Sequence, residues 1–176
     1  GPKTKQIYKN GASVTGTTGP DEVLAARADD VAIRALQEQL PNAIQDTKFD
    51  REELTLTLAR ESIVPACRIV QSAGYNFLVD VTCVDWYPNQ PRFQVTYHLL
   101  SMALKQRIRL SVLVDEGDAS VDSITQVWPA ANFYEREVFD LFGVRFGGHP
   151  NLRRLLMPDD FQGHPLRKDF PVEGYR

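Results

Sequence analysis

Cysteine is scarce: the 176 residues hold only Cys67 and Cys83. No CxxC pair occurs, so this chain alone cannot build a Cys-rich zinc or iron–sulfur site. Two cysteines make no disulfide framework, and core thiols in a reducing compartment are the simplest reading. Long apolar runs are missing as well; none approaches the roughly 20 residues of a membrane span. No basic stretch followed by an apolar one reads as a secretory signal. Gly-rich phosphate loops and nucleophile constellations are also lacking. Excess charge of one sign is small, a net of −3 with a sequence pI near 5.6, which gives no global reason to expect nucleic acid.

Apolar residues make up 43% of the chain and aromatics 10%, enough to bury a core within one domain plus an appendage. The charge is uneven. Residues 144–176 carry six Lys and Arg against four Asp and Glu, a net of +2, so the remainder carries −5. A basic segment on an acidic body often marks a binding arm.

Residues 1–29 are rich in Lys, Thr and Gly and read as a flexible arm. Residues 30–143 read as an α+β domain. Asp29 or Asp30 caps a helix over 31–40, where Ile33, Leu36 and Leu40 share a face and Pro41 stops the run. Leu54, Leu56 and Leu58 alternate with Thr55 and Thr57 as a strand, paired back through Phe49–Glu52 onto a strand near 43–48. A helix follows over about 62–73, with Pro65 tolerated in its first turn. Three more alternating segments, 77–84, 93–100 and 107–114, are joined by short loops and so should pair antiparallel. The fold expected is a largely antiparallel sheet with helices on one face. A last helical region spans about 120–142, kinked or divided at Pro129 and stopped at Gly143. Residues 144–176, with four Pro and four Gly, read as an extended Pro-rich C-terminal tail.

The densest chemistry begins at Glu135, Arg136, Glu137 and Asp140. Arg136 and Asp140 stand four apart and can pair on one helix face. His149, Pro150, Arg153 and Arg154 follow, then His164, Pro165, Arg167, Lys168 and Asp169. Arginine forks bind carboxylates bidentately, here on the domain's own helix or on a partner. Leu152, Leu155, Leu156, Met157, Phe161, Leu166 and Phe170 are too apolar for a free tail. Read as acid–base groups, the carboxylates lack a substrate pocket; an ion-pair network fixing the tail is the simpler reading. His149 and His164 lack a third metal ligand at helical spacing. Arg107 and Arg109 read as a solvated or partner-facing sheet side, and Trp86 and Trp128 as core or interface anchors.

The run Glu135-Arg136-Glu137, Asp140 and Gly143 resembles the C-type (NuoC-type) subunit family of NADH:quinone oxidoreductase, respiratory complex I. So do His149, Pro150, Leu152, Arg153, Arg154 and Leu156, and then Gly163, Pro165 and Leu166 through Asp169. The strand Phe77–Thr82, with Asp85, is similar too, and the resemblance covers about 30–176. It implies a non-catalytic scaffold subunit of the hydrophilic arm, with no cofactor of its own; FMN, iron–sulfur clusters and quinone belong to partner subunits. The partners implied are the quinone-site subunit of the 49-kDa type and the iron–sulfur subunits B and I. Contact with the membrane comes only through the complex, at the cytoplasmic side of a bacterial inner membrane, with the mitochondrial matrix the second choice. The site residues implied are structural: Glu135, Arg136, Glu137, Asp140, His149, Arg153, Arg154, Arg167, Lys168 and Asp169, none of them catalytic, cofactor-binding or metal-binding. The alternatives are the equivalent subunit of a membrane-bound hydrogenase or of a dehydrogenase fed by reduced deazaflavin or ferredoxin and, in other classes, a small RNA-binding adaptor or a free-standing hydrolase.

Overall fold

The structure, a computed structural model, describes residues 30–50 and 53–174. The expected arm over 1–29 lies outside them, as do Arg51 and Glu52 of the expected turn. Helix α1 (Val31–Gln39) starts where the Asp30 carboxylate accepts the N–H groups of Ala32 and Ile33. It buries Ala32, Ile33 and Leu36. Strands β1 (Ile44–Asp50) and β2 (Glu53–Leu58) then pair antiparallel. Helix α2 (Ile63–Ser72) holds Pro65 in its first turn, where a backbone N–H has no helical partner anyway, and buries Ile63, Ala66, Cys67 and Val70.

Strands β3 (Phe77–Asp85), β4 (Phe93–Ser101) and β5 (Gln106–Val114) complete a five-stranded sheet in the order β1-β2-β5-β4-β3. Neighbours pair antiparallel except β2 and β5, which run parallel because α2 and the β3–β4 hairpin intervene between them. The sheet is therefore largely antiparallel, as its sequence implies. Leu54, Leu56 and Leu58, with Val95, Tyr97, Leu99 and the alternate residues of β5, form the buried face under the helices. Thr55, Gln94, Thr96, His98, Arg109 and Ser111 line the opposite face. In β3 a register shift between Leu78 and Asp80 breaks the simple alternation: Leu78 and Val81 both turn inward, while Phe77 is 54% exposed.

The expected helix over 120–142 is shorter. Only Ala131–Phe142 is helical (α3); Ser120–Asp122 is a short strand, β6. Pro129 lies just ahead of the helix start, where its missing N–H and its restriction of the preceding residue do no harm. Gly143 ends α3 at φ +80°, the left-handed conformation a helix stop requires. Strand β7 (Arg145–Gly147) returns parallel to β6, and Val121 and Phe146 seal that edge of the core. Beyond it, residues 148–174 run as turns and bends.

Candidate functional site

The carbonyls of the last turn of a helix have no helical N–H to accept. In α3 the tail supplies the donors. A ring nitrogen of His164 donates to the Asp140 carbonyl at 2.9 Å. The Leu166 N–H reaches the Leu141 carbonyl at 3.0 Å, and Arg167 Nε reaches that of Phe142 at 2.6 Å. Cationic groups are also favoured there by the helix dipole. Gly143 is needed for space as well as for φ: a Cβ at this position would lie 2.6 Å from Arg167 Nη2 and 2.7 Å from the His164 ring.

Asp140 itself is fully buried. Its carboxylate accepts Arg154 Nε at 2.7 Å and the N–H groups of Leu155, Leu156 and Met157 at 3.0, 2.6 and 2.9 Å. Burial alone would raise its pKa; the three N–H donors and the guanidinium outweigh it and hold the group below the usual carboxylate range. Arg154 also donates to the Asp140, Phe161 and Gly163 carbonyls. The expected Arg136–Asp140 pair is not formed, because these four donors fill Asp140. Arg136 instead donates to the carbonyls of Arg153 and Arg154 at 3.1 and 3.2 Å.

A second knot forms around Arg92, whose side chain is completely buried. It grips Asp85 with Nε and Nη2, each bond 2.9 Å long. It also binds Glu116 at 3.0 Å and, from the tail, Asp169 at 2.6 Å. Asp85 further accepts the N–H groups of Tyr87 and Lys168. Burial pushes the Asp85 pKa up, but Arg92 and these N–H groups bring it down to about 2. Tyr87 and Phe93 flank the guanidinium at 4.7 and 5.0 Å from its carbon, and Arg167 sits over Phe93 at 5.1 Å.

Glu135 makes a third knot. Its buried carboxylate accepts the Ser123 hydroxyl at 2.7 Å and the Ile124 N–H at 2.8 Å. Burial pushes its pKa up to about 7, beyond what these two donors counter. His149 Nε2 stands 4.0 Å away and also meets the Asn132 carbonyl.

Six of the ten residues singled out from the sequence therefore meet between α3 and the tail: Glu135, Arg136, Asp140, His149, Arg154 and Arg167. A seventh, Asp169, ties the tail to Arg92 instead. Glu137 is half-buried on α3 outside these knots. Arg153 and Lys168 contribute backbone groups and leave their side chains exposed. Sequence reasoning missed Arg92 and Glu116. An arginine beside a proline turn reads as solvated, and only the fold brings it under residues 168–169. Among the described residues, no group of three or more His, Cys, Asp or Glu could hold a metal ion, and no helix is long and apolar enough to cross a membrane.

Residues 56–176 match the family described as respiratory-chain NADH dehydrogenase, 30 Kd subunit. The C-type subunit of the NADH-quinone oxidoreductase of Geobacter sulfurreducens is 48% identical over 145 residues, covering 81% of this chain and 90% of that protein. Its namesake in Rhodobacter capsulatus is 46% identical over 155 residues, covering 86% and 77%. Among solved structures, a trypsin-resistant fragment (1–134) of Nqo5 superposes with a TM-score of 0.61 at 32% identity, covering 72% of this chain and 99% of the fragment. A chain of the membrane-bound sulfane sulfur reductase, an archaeal respiratory membrane complex, gives 0.70 at 28% identity, covering 83% of this chain and 86% of its own length.

Proposed function

The chain belongs to the 30 Kd subunit family of respiratory-chain NADH dehydrogenase, and from that premise we propose that it is a non-catalytic scaffold subunit in the peripheral arm of an NADH:quinone oxidoreductase. It braces the 49-kDa-type quinone-site subunit and the iron–sulfur subunits B and I, which with the other peripheral-arm subunits carry the FMN, clusters and quinone. Those subunits hold it at the cytoplasmic side of the membrane.

One observation carries this reading. Asp140, Arg154, Arg136 and Arg167 of the matched segment are engaged in fixing the tail to the body, with Asp140 and Arg154 at the centre. A carboxylate whose acceptors are filled and whose pKa is depressed is a poor general base at neutral pH. The arrangement instead presents a preshaped tail, with Leu156 and Leu166 more than half exposed beside the exposed Arg153 and Lys168. These four face a partner; Arg154 and Arg167 point back into the chain.

The test is Arg154→Ala. Loss of its fork leaves Asp140 buried and loosens the tail. Assembly yield should fall, while the complex that does assemble turns over at a near-normal rate. Normal assembly with selectively lost quinone chemistry would contradict the scaffold role. The similarity to a sulfane sulfur reductase chain keeps one cousin reading open, the same subunit in a respiratory complex with another electron input. The names of the electron-input subunits that co-purify with this chain decide between the two.

A further inference from the structure

The root of the tail packs against a carboxyl group that, among the described residues, no lysine or arginine answers. Glu135 and the His149 ring are both fully buried, with His149 Nε2 4.0 Å from Glu135 Oε2. The groups that bear on Glu135 from other elements are Cys67 of α2 and Tyr97 of β4, a thiol and a phenol that burial holds well above their ordinary pKa values and so uncharged. Asp122 of β6 and Cys83 of β3 act on Tyr97 in turn, and neither is a cation. A carboxyl group in such a setting keeps its proton into the neutral range, up to about pH 7.

The hydrogen bonds show where that proton sits. The Ile124 N–H can only donate, so Oε1 is an acceptor in either state. Oε2 meets the Ser123 hydroxyl at 2.7 Å, and that hydroxyl lies 2.9 Å from the hydroxyl of the half-buried Thr125. Two hydroxyl groups in series can turn together, donating toward a carboxylate or accepting from a carboxyl, so Oε2 holds or releases a proton with no bond left unmade. His149 is set in one neutral tautomer: Nδ1 accepts the Asn151 N–H at 2.9 Å, and the Nε2–H donates to the Asn132 carbonyl at 3.2 Å. Nε2–H therefore stands between two acceptors, a carbonyl at the long end of the hydrogen-bond range and a carboxyl oxygen just beyond it.

We propose that Glu135 and His149 form a proton-operated switch at the root of the tail. With the proton on Glu135 Oε2, His149 bonds Asn132, the arrangement in the structure. Loss of the proton to solvent by way of Ser123 and Thr125 leaves a carboxylate, which accepts an N–H more strongly than a carbonyl does, and the Nε2–H swings from Asn132 to Oε2. The ring carries the Asn151 N–H with it. Gly148, at φ +77° with open space around it, gives the segment room to follow. Proton occupancy at one buried carboxyl thus sets where the tail leaves α3. The switch belongs to the chain alone, so its failure would leave the scaffold reading standing.

The experiment follows the ring nitrogens and the Nε2 proton of His149 by NMR in the full chain, together with the Glu135 carboxyl carbon, from pH 6 to 8.5. The Nε2 proton is expected to move downfield with the same midpoint as the Glu135 carboxyl, while Nδ1 stays unprotonated. In Glu135→Gln the Nε2 proton should hold its position over the whole range. A stationary Nε2 proton in the wild type, a midpoint apart from that of Glu135, an imidazolium formed at His149, or equal movement in Glu135→Gln overturns the switch. Should the glutamine form fail to fold, the match of the two wild-type midpoints decides alone.

Discussion

Glu135 is a carboxylate whose charge the fold disfavours. Its pKa rises from the ordinary 4.5 to about 7 on folding. Between those values the folded chain keeps a proton that the unfolded chain releases. Its contribution to stability is therefore fully present below about pH 4.5 and is lost as pH rises through 7, by on the order of 3 kcal/mol. Glu135→Gln keeps the acceptor for Ile124 and should flatten that slope in urea unfolding followed from pH 4.5 to 8; an unchanged slope would place the titrating group elsewhere. Arg92 makes the opposite case. Arg92→Ala strands Asp85 in the interior, and removing one partner of a buried pair costs about 3–5 kcal/mol. Arg92→Lys keeps the charge but not the fork and should fall between wild type and alanine. Equilibrium unfolding orders the three, and equal stability of the lysine and arginine forms would show that the fork geometry is immaterial. The motif residues were legible one by one, yet their pairings were not. Arg136 and Asp140 have the spacing of a helical pair, but three tail N–H groups and Arg154 compete for the same oxygens, and no local pattern reports donors arriving from residues 154–157.

At the scale of elements, the end of α3 is where helix, glycine and tail depend on one another. Gly143→Ala meets both a positive φ and the Arg167 and His164 side chains, whereas Gly148→Ala meets a positive φ of 77° and open space. The first should cost about 2–3 kcal/mol and the second about 1. Hydrogen exchange gives the sharper readout: in Gly143→Ala the Leu166 amide loses protection while the β4 amides keep theirs, and equal protection in both variants would mean that the tail docks without help from Gly143. The strands and the first two helices were readable because their periods are clean and their breakers, Asp30, Pro41 and Pro65, sit where backbone chemistry wants them. The segment 120–130 was not, since Val121, Ile124 and Val127 mimic a helical stripe. Its backbone is instead committed to β7 and to the Glu135 carboxylate.

For the whole molecule, folding turns part of the basic character of the tail inward. Arg154 answers Asp140, and Arg167 caps α3. What remains outward is a small apolar and cationic patch, a contact surface whose partner lies in another chain. Family membership was legible because its motif residues build this junction, which depends on their side-chain chemistry. The open sheet face was legible only as alternation, because the hydrogen bond from the Trp86 indole to Gln94 is a tertiary fact. Leu156→Asp with Leu166→Asp changes exposed positions and should leave the melting temperature within about 2 °C. It should nevertheless lower recovery of the chain in the assembly at least fivefold; unaffected recovery would move the docking surface elsewhere.

The most direct measurement of the scaffold role is an affinity pull-down of the full chain from native membranes in mild detergent, with co-eluting chains identified by mass and the tail substitutions run alongside. Flavin- and cluster-bearing NADH dehydrogenase subunits together with a quinone-site subunit are the predicted company, reduced in parallel by the tail substitutions. A chain that elutes alone, or one whose partners ignore those substitutions, would contradict it.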